Sequence, residues 1–319
     1  MKLGNKEFPI NIIQGPLAGI SCAPFRRLTW QYGKPAFACT EMISCKTLIY
    51  QNVMASRRYL MKDPQEGPVC FQLSGNNPIE LAEAVKRVTD AGADLIDLNC
   101  GCPVKKIRVK GAGSSLLTSP QLLYQLITAM KTNTSVPVSI KIRVEKSDSE
   151  KFNREIVNVI TEAGTDFVIV HGRHWTEHYE TSCRYDQIEY FVNELKVPVI
   201  GNGDIACVQS LKKMLATGCA GVMIARAGVG QPWLINQLTM EMKGKTFLKP
   251  TLKERHLILL KHVAGLIDLL GEEKFAILQA RKFAKYYARD VIWRSDFCAE
   301  INNCDKVNEL EKICERYFI

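Results

Sequence analysis

The sequence predicts an α/β protein: a (β/α)8 barrel followed by a small helical domain at the C-terminus. Three observations support this fold class. Eight short β-rich segments recur within residues 1–245, helix-like stretches separate several of them, and the alternation stops at Lys249-Pro250. Near-continuous apolar strands joined through helices are typical of a parallel sheet covered by helices. Eight such units fit the roughly 250 residues of a typical barrel.

The predicted strands lie in these segments: INIIQGPLAG from Ile10, AFACTEM from Ala36, PVCFQLSG from Pro68, LIDLNCGCP from Leu95, VPVSIKIRV from Val136, FVIVHGR from Phe167, VPVIGNGDI from Val197 and AGVMIAR from Ala220. Between the third and fourth, the helical spacing of Leu81, Val85 and Val88 predicts a helix that stops before Gly92. A doubly wound sheet is the alternative. Its usual G-x-G-x-x-G fingerprint after the first strand is missing from QGPLAGIS.

Beyond the barrel, residues 246–319 predict a second domain made of amphipathic helices. LKERHLILLKHVAGLIDLL, FAILQARKFAKYYARDVIW and DKVNELEKICERYF each carry apolar residues at helical spacing. We therefore expect two domains, a catalytic barrel over residues 1–245 and a helical domain over residues 246–319.

The composition is that of a folded protein with a sizeable core, because 46% of the 319 residues are hydrophobic and 24% are charged. A formal net charge of +9 favours a polyanionic partner such as nucleic acid. The sequence shows neither a secretory leader nor an apolar run of membrane-spanning length, so we expect a cytoplasmic protein without a membrane partner. The sequence does not indicate the oligomeric state, and a monomer is the default expectation. Its twelve cysteines are then expected to be reduced thiols.

Polar residues recur where the predicted strands end. In a barrel, the carboxyl ends of the strands form the face on which active sites are built. Buried polar groups need partners, so their repetition at one end predicts a shared ligand, although any single one could be a satisfied core residue. The residues at these strand ends are the apolar Pro16 and Ala18, followed by Glu41, Gln72, Asn99 and Cys102, Lys141 and Arg143, His171 and Arg173, Asn202 and Asp204, and Arg226.

The segments at the ends of the last two predicted strands indicate a phosphate-binding site. GNGDI and ARAGVGQPW supply glycines that let backbone N–H groups approach an anion, and Arg226 adds a charged donor. Tight turns are the alternative role for each glycine. With Lys141 placed to face a bound ring system, the pattern is typical of a phosphorylated cofactor such as FMN.

The sequence resembles the tRNA-dihydrouridine synthases, and among them the bacterial B-type, along nearly the whole chain. The motifs that carry the resemblance are GPLAGISCAPFRRL, TEMI, FQLSG, DLNCGCPVKK with KGAGSSLL, SIKIR, VHGR with Tyr179, PVIGNGDI and GVMIARAGVGQPW. The resemblance implies reduction of the C5=C6 bond of uridines in tRNA by an enzyme that binds FMN and uses NADPH as reductant. It does not indicate which uridine is modified.

The resemblance also implies roles for individual residues. Cys102 would be the catalytic acid, which protonates C5 after hydride reaches C6 of the uracil ring. The base would have to leave the tRNA stack to reach the cofactor. FMN contacts are expected from Pro16, Leu17, Ala18, Gln72, Lys141, His171, Asn202, Gly203, Asp204, Ala225 and Arg226. Substrate contacts are expected from Asn99, Lys105, Lys106, Arg143, Arg173, Arg281 and Lys282.

Three basic elements predict where RNA binds. They are the loop behind Cys102 with Lys105, Lys106, Arg108 and Lys110; Arg26 and Arg27 after the first strand; and a helical stripe of Arg281, Lys285 and Arg289 interleaved with Tyr286, Tyr287 and Trp293. An exposed, solvated helix is the alternative for the charges, and we expect the aromatic residues to fill the core of the small domain.

Several positions depart from the family pattern. Gly15 and Cys22 replace the usual alanine and aspartate, with local effects expected, and VEKSDSE after KIR replaces the usual glycine and aromatic residue. Cys100 stands where a methionine or another apolar residue is usual. We expect Cys100 to pack in the core, with a transient disulfide to Cys102 as the alternative.

The segment HGRHWTEHYETSC departs as well. His174 and His178 are spaced by one helical turn and Cys183 follows, which raises a zinc site as an alternative. Because the segment follows a strand, we expect a loop and no metal.

Two other functions remain open at the level of sequence. One is a flavin barrel that acts on a free pyrimidine, as dihydroorotate dehydrogenases do, which would leave the basic helical domain without a role. The other is an RNA-binding barrel without catalysis, which would leave Cys102, Lys141 and His171 without one.

Overall fold

The computed structural model describes residues 1–146 and 150–318, so part of the VEKSDSE segment lies outside the described residues. The strands are β1 Lys2–Leu3, β2 Lys6–Glu7, β3 Ile12–Gln14, β4 Ala38–Cys39, β5 Ile43–Ser44, β6 Val69–Ser74, β7 Leu95–Cys100, β8 Val138–Arg143, β9 Phe167–His171, β10 Val199–Asn202 and β11 Gly221–Ile224.

The helices surround the strands and then continue beyond them. They are α1 Ala23–Gly33, α2 Cys45–Tyr50, α3 Val53–Leu60, α4 Pro78–Asp90, α5 Lys105–Arg108, α6 Pro120–Lys131, α7 Glu150–Glu162, α8 Tyr185–Glu194, α9 Val208–Leu215, α10 Leu234–Met242, α11 Leu252–Leu270, α12 Glu273–Tyr287, α13 Arg294–Asn303 and α14 Val307–Tyr317. Two 3₁₀ turns span Gly113–Thr118 and Arg226–Gly228.

The parallel strands close into the predicted (β/α)8 barrel. Their order is β4-β3-β11-β10-β9-β8-β7-β6-β5, and an additional pairing between β4 and β6 closes the ring. The second predicted strand is split into two short pieces, β4 and β5, which both pair with β6. Because β4 and β5 together occupy one strand position, the barrel has eight strand positions, as the sequence predicts.

Strand β7 shows why these segments read as near-continuous apolar runs. Ile96, Leu98 and Cys100 are buried in the layer between the barrel and its helices. Leu95, on the opposite face of the strand, is buried in the barrel interior. Successive side chains of a strand point to opposite faces, and here both faces are covered.

An antiparallel hairpin of β1 and β2 accompanies one end of the barrel, and the sequence analysis did not predict it. Leu3 and Phe8 from this N-terminal segment are buried in one cluster with Phe37 and Phe167 from the barrel strands. The ring centroids of Phe8 and Phe37 are 5.5 Å apart, and those of Phe37 and Phe167 are 6.2 Å apart. We call the cluster of Leu3, Phe8, Phe37 and Phe167 the aromatic floor. It fills one end of the barrel, and the polar side chains lie at the other end.

Helix α4 forms as its sequence predicts. The side chain of Asn77 accepts hydrogen bonds from the N–H groups of Ile79 and Glu80, at 2.9 and 3.2 Å, and so caps the helix N-terminus. Leu81, Val85 and Val88 are buried, and the chain leaves the helix through Gly92 with φ of +86°.

The C-terminal helices agree with the prediction in part. Helix α11 begins with a capping box between Thr251 and Glu254 and ends at Gly271 in the left-handed conformation. Helix α12 ends at Tyr287, whereas the sequence predicted helix to Trp293, and α13 was not predicted. Within the described residues, no helix is both long and apolar enough to span a membrane.

Arg26 forms a buried ion pair and is not the RNA contact that the sequence suggested. Its Nε and Nη2 atoms donate to the carboxylate of Glu66 at 2.7 and 3.1 Å. The side chains of Arg26 and Glu66 are 1% and 0% exposed. This pair joins α1 to the loop that precedes β6.

Removing one member of this pair is expected to destabilise the fold strongly. Glu66→Ala leaves the Arg26 charge buried without its partner, so the free energy of unfolding should fall by about 3–5 kcal/mol. Urea denaturation measures the change. Glu83→Ala, which removes the exposed pair with Arg87 on α4, is the control and should cost under about 0.5 kcal/mol. Equal losses in the two variants would contradict the assignment.

Candidate active site

A cavity of about 740 Å³ opens at the carboxyl ends of the barrel strands. It brings together every residue that was expected to contact FMN, as well as four of those expected to act on the substrate. The predicted residues that line it are Pro16, Leu17, Ala18, Gln72, Asn99, Cys102, Lys141, Arg143, His171, Arg173, Asn202, Gly203, Asp204, Ala225 and Arg226. Lys105, Lys106, Arg281 and Lys282 do not line it.

Lys141 projects into the cavity from β8. Its Nζ donates to Asn202 Oδ1 at 2.9 Å, and Asn202 Nδ2 in turn donates to the carbonyl oxygen of Met223 at 2.8 Å. Burial, together with the charge of Arg143, lowers the pKa of Lys141 to about 8. The ammonium group is thus charged at neutral pH and keeps further N–H groups for a ligand.

His171 is the last residue of β9, and Arg173 lies two residues further along the chain. The pKa of His171 lies well below its ordinary value because the ring is buried and faces the charges of Lys141 and Arg143. Its imidazole is therefore neutral at physiological pH. A neutral ring can act as either donor or acceptor at the cavity wall.

Arg173 is buried and its guanidinium is bound mostly within the protein. Nη2 donates to both carboxylate oxygens of Asp204, at 2.5 and 2.6 Å, and to the carbonyl oxygen of Tyr179 at 3.1 Å. Nε donates to the carbonyl oxygen of Thr181 at 2.5 Å. This geometry favours a role in holding the loop after β9, and the substrate contact expected from Arg173 stays a prediction.

The loops after β10 and β11 form a set of anion donors. Gly203 has φ of +136° and Asp204 φ of +52°. A Cβ at Gly203 would lie 2.6 Å from Cys183 Sγ, so the turn requires glycine. Among the described residues, the backbone N–H groups of Gly203, Asp204 and Arg226 have no acceptor. Such N–H groups at a turn, beside an arginine, suit a phosphate.

Arg226 completes this donor set from the side. Its guanidinium carbon lies 3.4 Å from the ring centroid of Tyr179, which is 49% exposed. The aromatic face steadies the guanidinium while leaving its N–H edge available. Tyr179 thus belongs to the wall beside Arg226.

The Cys102 loop is shaped by contacts to its backbone. Asn99 Oδ1 accepts from the N–H groups of Gly101 and Cys102, at 3.2 and 2.9 Å. The N–H of Ser114 donates to the carbonyl oxygen of Cys102 at 3.1 Å. A Cβ at Gly113 would lie 2.8 Å from that same oxygen, which explains a glycine in the KGAGSSLL motif.

Arg143, like Asn99, was expected to contact the substrate. In the structure, two nitrogens of its guanidinium donate to backbone carbonyl groups. Nε donates to the carbonyl oxygen of Gly101 at 2.9 Å, and Nη1 donates to that of His174 at 3.0 Å. Both groups of the Asn99 amide also have protein partners. Both residues line the cavity, but their main contacts build its wall.

The two cysteines of the GCP motif lie in different environments. Cys100 is fully buried between β7 and the helix layer, and burial raises its pKa well above the ordinary value. Cys102 lines the cavity and is only partly buried. Both are free thiols, so the packing role expected for Cys100 is confirmed and the alternative C-x-C disulfide is not formed.

The loop after β9 is irregular, as predicted. The ring of His174 lies 2.7 Å from Thr176 Oγ1 and 3.3 Å from Glu145 Oε1. The guanidinium carbon of Arg108 lies 3.1 Å from the ring centroid of Trp175, which draws this arginine toward the loop. Within the described part of the chain, no group of three or more His, Cys, Asp or Glu side chains is placed to hold a metal ion.

The predicted basic stripe of the C-terminal helices is not continuous. Arg281 donates to the carbonyl oxygen of Cys304 and to Asp305 Oδ1, each at 2.6 Å. Arg289 lies beyond the end of α12 and donates to the carbonyl oxygen of Val229 at 2.9 Å. Lys282 and Lys285 are exposed. Two members of the predicted stripe thus have partners within the protein, and its contact with RNA stays a prediction.

Three residues near the end of α12 line the cavity instead: Tyr286, Arg289 and Arg294. The turn between α12 and α13 also exposes Ile292 and Trp293, by 89% and 60%. Sequence analysis missed Arg294 because it predicted helix through this turn. Tyr287 fills the helical core as expected, whereas Trp293 does not.

Comparison with known proteins identifies the family of this chain. Residues 13–318 match the family model described as "Dihydrouridine synthase (Dus)". The chain belongs to the dihydrouridine synthase family. It is 31% identical over 320 residues to the probable tRNA-dihydrouridine synthase of Rickettsia prowazekii (strain Madrid E), covering 99% of this chain and 97% of that protein. It is 31% identical to tRNA-dihydrouridine synthase B of Proteus vulgaris, over 100% and 98% of the two chains.

Two departures of this dihydrouridine synthase from the usual motif have a local structural account. A Cβ at Gly15 would lie 2.8 Å from Met223 Sδ, so Met223 fills the space of the usual alanine. Cys22 lies at the N-terminus of α1 and accepts a hydrogen bond from Gln279 Nε2 at 3.7 Å. Burial raises the pKa of Cys22 to about 12, so it packs as a neutral thiol.

Proposed function

We propose that this dihydrouridine synthase reduces the C5=C6 bond of uridines in tRNA, with bound FMN, NADPH as reductant and Cys102 as proton donor. The observation that carries the proposal is that Cys102, Lys141 and the donor set around Arg226 share one cavity. Full-length similarity to proteins named tRNA-dihydrouridine synthase supports the choice of tRNA as substrate.

The residues present fit FMN. Gly203, Asp204 and Arg226 would hold its phosphate through backbone N–H groups and the guanidinium, and Pro16, Leu17 and Ala18 would cover the ring system. FMN, when bound, supplies the hydride that is delivered to C6 of the uracil ring. Lys141 places a positive charge at the cavity wall, where it stabilises negative charge on a ligand.

Cys102 would complete the reaction by protonation. As hydride reaches C6, negative charge develops toward C5 and O4 of the uracil, and the thiol of Cys102 donates its proton to C5. Cys102 is chosen over His171, which is neutral and buried, and over Lys141, whose Nζ is bound to Asn202. The cavity is lined by the ends of the barrel strands, so the uridine would have to leave its stack to enter.

We further propose that residues 1–245 carry catalysis and residues 246–319 contribute tRNA contacts. The supporting surface lies around the cavity mouth: Lys105 and Lys106 are exposed on one side, and Trp293 and Arg294 on another. The cations suit phosphates and the indole suits a stacked base. The proposal assigns a tRNA contact to Arg294 and not to Arg281, because Arg281 is paired with Asp305.

The proposed function is tested by absorbance spectroscopy of the purified protein. The visible flavin bands should bleach on anaerobic addition of NADPH and recover on addition of unmodified tRNA, but not of free uridine. Recovery with a free pyrimidine would favour the dihydroorotate dehydrogenase-like alternative. A colourless protein that FMN does not reconstitute would favour RNA binding without catalysis.

The RNA surface is tested by removing one charge from each side of the mouth. Lys105→Ala combined with Arg294→Ala should weaken tRNA binding roughly tenfold. The slope of log affinity against log salt concentration should also fall in magnitude by about one to two, because each lost phosphate contact leaves about one fewer counterion to be released on binding. Binding isotherms at several salt concentrations measure both. Lys86→Ala with Lys196→Ala removes two exposed charges away from the mouth and should change neither. Equal effects of the two pairs would contradict this surface.

A further inference from the structure

A buried hydrogen-bond relay links a carboxylate inside the barrel to the backbone of Cys102. Gln72 Nε2 donates to Asp97 Oδ2 at 2.7 Å, and Asn99 Nδ2 donates to Gln72 Oε1 at 2.8 Å. Asn99 Oδ1 then accepts from the N–H groups of Gly101 and Cys102, at 3.2 and 2.9 Å. Asp97 and Gln72 are each 1% exposed, so water does not compete for these bonds.

Both ends of the relay fix its direction. Backbone N–H groups only donate, so the atom of Asn99 that faces Cys102 must be the amide oxygen. The NH₂ group of Asn99 then meets the oxygen of Gln72, and the NH₂ group of Gln72 requires an acceptor beyond it. A carboxylate only accepts, and Asp97 supplies it. Rotation of either amide would leave buried polar groups unpaired, which is costly.

We propose that Asp97 is a positioning residue for Cys102, acting through Gln72 and Asn99. Its catalytic consequence rests on the proposed function, whereas the relay itself can be tested without it. Ser139 Oγ donates to Asp97 Oδ1 at 2.7 Å and holds the other oxygen of the carboxylate outside the relay. Burial raises the pKa of Asp97 to about 6, so the experiments are made at pH 8, where it is ionised.

Hydrogen exchange at the amides of Gly101 and Cys102 measures the relay directly. Asp97→Leu removes the terminal acceptor, and Gln72→Met cuts the relay in the middle. In each variant these two amides should exchange about tenfold faster or more, because the oxygen that protects them is no longer held in place. Mass spectrometry of a peptide spanning residues 97–106 follows them, with the peptide that contains β10 as the internal reference.

Two variants of the same carboxylate site serve as controls. Ser139→Ala removes a hydrogen bond to Asp97 but leaves the relay, so exchange should stay within about twofold of the wild-type rate. Asp97→Asn keeps an oxygen for Gln72 and can turn its NH₂ toward Ser139 Oγ, so it should restore protection to within about threefold. The inference is overturned by unchanged exchange in Asp97→Leu and Gln72→Met, or by faster exchange throughout the barrel.

Turnover then separates positioning from stability. In Asp97→Leu, reduction of tRNA should be about tenfold or more slower than in Asp97→Asn, while the two variants should bleach with NADPH within about threefold of each other, because both lose the carboxylate charge that raises the pKa of Lys141. Normal tRNA reduction by this variant would overturn the inference. If the wild-type chain neither binds flavin nor reduces tRNA, the proposed function fails, and the exchange result still decides the relay. If Asp97→Leu does not fold, exchange in Gln72→Met decides it.

Discussion

Replacing Cys102 with alanine is expected to slow the reduction of tRNA by about 10²–10⁴-fold, the range contributed by a positioned general acid. Bleaching of the flavin by NADPH should continue near the wild-type rate, because that step needs no proton at C5 of a uracil. Stopped-flow absorbance separates the two half-reactions. The variant should therefore bleach normally with NADPH and recover slowly with tRNA.

Cys100→Ala provides a matched control, since it removes a thiol two residues away. Cys100 is fully buried in the helix-facing layer, so its loss creates a small cavity without touching the active-site opening. Stability should fall slightly, and tRNA reduction should stay within about threefold of wild type. If the Cys100 variant lost tRNA reduction and the Cys102 variant kept it, the assignment of the proton donor would be wrong.

Replacing Lys141 with methionine is expected to slow the NADPH-dependent bleaching by about 10²–10³-fold, the usual effect of removing one buried electrostatic contact at a reacting group. The side chain is nearly isosteric but carries no charge, and Asn202 Oδ1 loses its donor. Anaerobic stopped-flow spectroscopy measures the rate, and flavin titration measures any loss of affinity. A variant with the wild-type rate would rule out the electrostatic role.

The same lysine predicts a pH dependence. Its pKa of about 8 lies below the ordinary 10.5, so the charge is lost as pH rises through about 8 and the bleaching rate should decline there. Lys141→Arg keeps its charge to higher pH and should lack this decline. Folding responds in the opposite sense: between pH 8 and 10.5 the unfolded chain binds more protons, so Lys141 makes the fold more stable as pH rises.

Most of the barrel was predictable because its strands are buried on both faces and form eight apolar runs. The N-terminal hairpin was not, since strands of two residues are too short to show a period. Helix α13 was missed because, of its ten residues, only Phe297 and Ile301 are buried, which is too sparse to mark an apolar face. No glycine or proline marks the end of α12 at Tyr287.

Cavity-lining residues were predictable where they follow directly from strand ends, as Lys141 and Asn202 do. Asp97 was missed because a carboxylate within an apolar run gives no sign of the amide that it faces. For Arg26 and Arg281, the sequence did not reveal the ion pairs that they form. Their partners Glu66 and Asp305 lie far away in sequence, so the charge pattern alone suggested free cations.

The aromatic floor bears on the order of events in turnover. Leu3, Phe8, Phe37 and Phe167 are each 3% exposed or less, so the hairpin end of the barrel offers no passage between these side chains. If NADPH reduces FMN at this site, as proposed, reductant and nucleic acid have to use the same entrance, where a nicotinamide and a flipped-out base cannot both lie against the cofactor. We therefore expect turnover to alternate, with the oxidised dinucleotide leaving before the uridine enters.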